Sequence, residues 1–281
     1  MLESLLSFEE EERRPWLLFG WAVLVCIVAT IVALQVAPGI PAVSAGFFAV
    51  LFTIIPAAYL LQQLISSQEA VEEREVKAHL KKGLWERHGR DIAALLFLFA
   101  GLTLAFAVLA LLLPAGTFNA QTGKINDIRG TGSFLETLTG NAPALAPSGA
   151  AAVTGSAAGG LDFSGIFWNN LQVLLMAFVL ALVFGAGAVF IIVWNASVLG
   201  VFIGSAAKSL WAIPAVSLGF LPHGLPEIAA YLLAGLAGGL LSAGVLHKNP
   251  REVVEAITWD AGRLLVVAIA LVFLAALVEV A

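Results

Sequence analysis

The stretch 197–221, SVLGVFIGSAAKSLWAIPAVSLGFL, decides how many times this chain turns back on itself. It is apolar enough to cross a bilayer, yet it carries Lys208 near its middle and is weakened by Gly200, Gly204 and Pro214. If it crosses, the chain has seven spans and its ends lie on opposite sides. If it is re-entrant, every segment after it changes side.

The rest of the chain supplies the setting. Of its 281 residues 60% are hydrophobic and 12% are charged, and the mean hydropathy is +0.97. Soluble domains carry about 25% charged residues, so most of this surface faces lipid. Lipid permits only helices or closed barrels. The apolar runs are continuous and about 20 residues long, which is the length of a spanning helix and not of a barrel strand. The expected fold class is all-α, a polytopic helical transmembrane bundle of about seven spans. A net charge of −5 and the lack of a basic stripe argue against a nucleic-acid partner. Cys26, the single cysteine, allows no internal disulfide and no cysteine metal cluster. The acidic start, Glu9 to Glu12, is unlike a cleavable signal, so the first span is expected to stay in place.

The expected spans are about 16–37, 42–65, 92–113, 167–193, 197–221, 224–246 and 263–280. Three units follow: an N-terminal two-span hairpin over 1–65, a charged cytoplasmic helix over 66–91, and a five-span domain over 92–281. Glu73 and Lys77 stand at i and i+4 in the favourable order within the charged helix. The last unit contains an outer loop, 115–163, rich in Gly, Ser, Thr, Ala and Pro over 141–160, with one short helix expected at Gly132 to Thr139. With seven crossings and the N-terminus inside, Arg13, Arg14, Arg74, Lys77, Lys81, Lys82, Arg87, Arg90, Lys248, Arg251 and Arg263 are cytoplasmic. Only Lys124 and Arg129 lie outside, and Lys208 lies within a span. That is 11 against 2. The positive-inside rule thus favours a full fifth crossing, a multi-pass protein of the cell membrane, a cytoplasmic N-terminus and an outside C-terminus.

This topology brings two polar pairs to one depth. Asn169 and Asn170 stand at the outer end of span four, and His223 and Glu227, four residues apart in PHGLPE, stand at the outer start of span six. Glu227 is expected about one turn into the apolar region, where a lone carboxylate needs a partner, a proton or water. His223, at i−4, can supply it. The bland readings are a helix cap for His223 and interhelical hydrogen bonds for the two asparagines. Asn195 falls near the inner face, apart from this cluster, and a straight helix keeps Lys208 about three turns from it. Gly200 and Gly204, like Gly235 and Gly239, form GxxxG motifs that point to close helix packing and a possible homo-oligomer. His79 and His88 read as members of a solvated charged helix, and His247 as a span end. No HExxH, GxSxG, Walker or GxGxxG pattern is present. His223 and Glu227 offer two ligands where a catalytic zinc takes three protein ligands. No catalytic residue, metal or cofactor is therefore assigned.

Taken in order, Phe167-x-Asn169-Asn170, Gly185 and Gly187, Asn195, Gly200 and Pro222-His223-Gly224-x-x-Glu227 resemble the stage II sporulation protein M family. The resemblance covers about 91–281, with Ala196 where the pattern often has Gly. It implies a large outer loop after the first shared span and a polar motif before a later one, with spans one and two as an addition. The family's namesake is a membrane scaffold that holds peptidoglycan-remodelling enzymes during engulfment in spore formers. The expected function is accordingly a scaffold or assembly factor, docking membrane or envelope proteins through 115–163 or 66–91. The alternative is a small transporter or proton-linked permease using His223 and Glu227, and a third is an intramembrane hydrolase with Glu227 as general base.

Overall fold

The computed structural model describes residues 15–40, 43–78, 83–114, 116–128, 163–246 and 249–280. Among them are eight α-helices and no strand. They are α1 (Trp16–Val36), α2 (Ala45–Lys77), α3 (Leu84–Leu112), α4 (Asn119–Ile128), α5 (Phe163–Phe184), α6 (Ala188–Ala207), α7 (Ile213–Leu246) and α8 (Arg251–Val280). All but α4 are long and apolar enough to cross a membrane. The short helix expected over 132–139 lies outside the described residues.

Seven spans stand, but three of them are cut differently. Gly185 adopts φ +63°, a left-handed turn open to glycine, and ends α5. The chain reverses over 185–187, so 167–193 is not one span. Lys208 is itself left-handed, at φ 56°, and ends α6. It lies exposed in the turn that follows, not in the middle of a span. The fifth span is α6, 20 residues long. At about 1.5 Å per residue it covers about 30 Å, long enough for a complete crossing. The sixth, α7, runs unbroken for 34 residues with Pro222 and Pro226 inside it. PHGLPE therefore lies within a helix, and Glu227 is 14 residues from its start, about 21 Å along the axis. The helix begins eleven residues before the expected 224, so Glu227 lies in its interior and not in its first turn.

We call inner the end of the bundle where α2 ends at Lys77, α3 begins at Leu84 and the chain reverses over 185–187, following the charge distribution. Lys208 and Lys124 then lie toward the outer end, and Arg74, Arg87, Arg90, Arg251 and Arg263 toward the inner one.

The centre of the bundle is α6 and α7, the most buried spans. Glycine sets the close approaches. A Cβ at Gly200 or Gly204 would strike the backbone carbonyls of Thr103 or Ala107, so α6 lies directly on α3. On α7, Gly235 faces Ala188 of α6, Gly238 faces the Phe178 carbonyl of α5, and Gly239 faces Ile65 of α2. Both GxxxG motifs are thus occupied within one chain. Gly101 of α3 seats the backbone of α1 at Phe19.

The helices differ in length, and this matters at the inner end. Gly239, Ile65 and Gly185 lie at one level. Beyond it α2 continues to Lys77 and α7 to Leu246, about 18 and 10 Å further. The charged stretch 66–91 is not one helix. Its described residues belong to the inner end of α2, up to Lys77, and to the start of α3 at Leu84, preceded by the extended backbone of Gly83.

Candidate functional site

Three helices meet at a polar cluster. Asn170 of α5 donates from Nδ2 to Oε1 of Glu227 on α7. Its Oδ1 accepts from Tyr231 Oη at 3.1 Å and from Asn169 Nδ2 at 3.1 Å. This arrangement fixes the amide orientation, since a flipped amide would face oxygen to oxygen. Glu279, near the end of α8, interacts electrostatically with both Glu227 and His223. Asn170 and His223 are buried, while Asn169 is exposed. The partner of Glu227 supplied by the fold is thus Asn170.

Each motif residue has a local reason. Phe167 turns to α8, where it meets Phe273 at 6.0 Å between ring centres, and Asn170, three residues on, turns to α7. On α7 the Phe220 ring occupies the space where a Cβ of Gly224 would stand. Phe220 in turn meets His223 edge-on at 4.6 Å and Phe202 of α6 at 6.2 Å. Gly224 therefore makes room for a ring; it does not make a turn.

Asn195 sits differently from expectation. Gly235 touches Ala188. Glu227 lies eight residues outward from Gly235, and Asn195 seven outward from Ala188, so both are about 10–12 Å from that level. The break at 185–187 lifts Asn195 to the depth of the cluster. Its Nδ2 donates to the Ile191 carbonyl at 2.8 Å, within its own helix. Lys208, in its outer turn, is apart from the cluster.

Sequence reasoning passed over Tyr231 and Glu279. Tyr231 had a signal, because His223, Glu227 and Tyr231 follow i, i+4, i+8 along one face. It also missed a second cluster at the inner end. Arg87 Nε donates to Glu75 Oε2 of α2 at 2.8 Å, and its Nη1 pairs with Asp260 Oδ2 of α8. His88 Nε2 stands 3.4 Å from the same Asp260 oxygen, and Arg263 lies 3.4 Å from the other. His88 is fully buried, not solvated, and Asp91 beside it is buried too. The Glu73–Lys77 side chains, His79 and His247 lie outside the described residues. Among the described residues no group of three or more His, Cys, Asp or Glu is arranged to hold a metal ion.

Comparison with known proteins places the chain. Residues 22–281 match the family described as Stage II sporulation protein M. The chain belongs to that family. The match begins inside α1, so the family pattern takes in α1 and α2 as well as the motif-bearing helices. A relative of this family member is Uncharacterized protein MJ0793 of Methanocaldococcus jannaschii. It is 29% identical over 123 residues, which is 42% of this chain and 69% of that protein. No solved structure matches.

Proposed function

We propose that this family member is a membrane scaffold that docks envelope proteins, with no chemistry of its own. The observation that carries this is how the interior polar groups are used. Glu227 and Tyr231 of α7 each bond to Asn170 and hold α5 to α7, while Glu75, Arg87, His88 and Asp260 tie α2 and α3 to α8. Such closed networks favour one fixed arrangement of helices. The role of the family's namesake supports the same reading. Docking is expected on the outer segment between α4 and α5. The test is affinity purification of the full chain in mild detergent, against a chain lacking 129–162 but keeping α4. Loss of co-purified envelope proteins on deletion is the expected result, and an unchanged set removes outer docking.

A proton-linked permease is the second reading, and the depth of Glu227 within α7 favours it. Lys208, expected within a span, lies instead in the turn after α6 and adds nothing to it. Reconstituted wild-type protein without flux, or flux untouched by Glu227→Gln, ends this reading.

A further inference from the structure

The short helix α4 is polar in sequence, with Asn119, Gln121, Thr122, Lys124, Asn126 and Asp127, yet it does not lie free in water. Phe118 packs edge-on against Phe106 of α3 at 6.0 Å, and Phe106 lies six residues before the outer end of α3, about 9 Å down the helix. Gln121, wholly buried, donates from Nε2 to the Gly46 carbonyl at 3.0 Å and to Ser197 Oγ at 3.3 Å. Ser197 stands ten residues before the outer end of α6, about 15 Å down. The Ala120 amide donates to Ser44 Oγ at 3.3 Å, and the Gly46 amide to the Thr117 carbonyl at 2.7 Å. A Cβ at Gly46 would meet Gln121 and Phe118. A polar decapeptide is thus seated in a slot between α2, α3 and α6, at membrane depth.

Its seating carries a defect. Among the described residues, Gln121 Oε1 is buried with no hydrogen-bond partner. A buried acceptor left without a donor opposes burial, and water outside the slot would satisfy it. A ten-residue helix is also marginal without tertiary support. Conflict between local sequence and location marks elements with two available states.

We propose that α4 is a releasable plug, seated between α2, α3 and α6 and withdrawn toward the outer water to lengthen the arm that follows it. The link to partner docking rests on the scaffold function proposed above; the plug itself does not. Release swaps the Gly46 and Ser197 bonds of the Gln121 Nε2 for bonds to water and lets water reach its Oε1. It also opens the slot lined by Ser44, Gly46, Phe106 and Ser197.

Amide hydrogen exchange of the full chain in nanodiscs is the test. Amides of 119–128 should exchange at least about tenfold faster than those in the middle of α3 and α6. Gln121→Leu should slow them about tenfold, because it removes the orphaned oxygen while Ser197 keeps its bond to Trp194. Gly46→Val should speed them and leave α3 and α6 protected. Protection of 119–128 equal to α3 and α6 in the wild type, or no response to Gly46→Val, overturns the plug. A Ser44→Cys, Ala120→Cys disulfide in a Cys26→Ala background then addresses docking. Partner capture lost on oxidation and regained on reduction supports release on binding, and capture indifferent to the lock overturns it. Capture independent of 129–162 would instead remove outer docking, with the exchange result unaffected.

Discussion

Asn170 makes three of the four hydrogen bonds an asparagine amide can make, and it is the hub of its cluster. Asn170→Ala leaves Glu227 without its donor inside the membrane, and destabilisation of about 1–3 kcal/mol is expected. Glu227→Gln keeps an acceptor opposite Asn170 and no longer places a carboxylate in the bundle, so it should cost less than Asn170→Ala. Thermal unfolding in detergent ranks the two, and equal losses would show that Asn170 is not supporting Glu227. The pairing of FxNN with PHGxxE was legible because each motif puts polar groups at one depth in an otherwise apolar run. The inner cluster was not. Arg87 and Asp260 are 173 residues apart, and a lone acid in an amphipathic link or a histidine in a charge run looks like a solvated face.

Element boundaries were legible only where the chain carries charge or proline. α3 ends at Leu112, beside the expected 113 and just before Pro114, but α8 begins at Arg251, twelve residues before the expected 263. From Phe163 to Leu246 the breaks rest on Gly185, Gly187 and Lys208. Nothing in the hydropathy marks such glycines as turns when others in the same run are packing surfaces. The two roles separate by experiment. Gly204→Leu would drive a side chain into the Ala107 carbonyl and should cost at least about 2 kcal/mol, in the range of overpacked cores. Gly262→Ala on α8 meets nothing within 4 Å and should gain about 0.5–1 kcal/mol from helix propensity. Unfolding by graded denaturant gives both. A neutral Gly204→Leu would mean that α3 and α6 are not in direct contact.

For the whole molecule, the number of spanning helices was legible in the hydropathy, and the charges give the expected sidedness. The orientation can be checked with impermeant thiol reagents in a Cys26→Ala background. Phe184→Cys should react only from the inner side, Lys208→Cys only from the outer side, and Asn195→Cys from neither. Reaction of Lys208→Cys from inside would invert the topology, and reaction of Asn195→Cys would restore the turn first expected at 194–196. The two polar clusters also impose an order on biogenesis. The chain is made from its N-terminus, so α5 is already present when α7 emerges, and Asn170 can meet Glu227 as soon as the carboxylate leaves water. The inner cluster has the opposite schedule. Glu75 and Arg87 emerge early, yet Asp260 belongs to the last helix. Arrival of α8 therefore closes the molecule, and a nascent chain ending before Arg251 would present an unfinished inner surface for quality-control proteases to find.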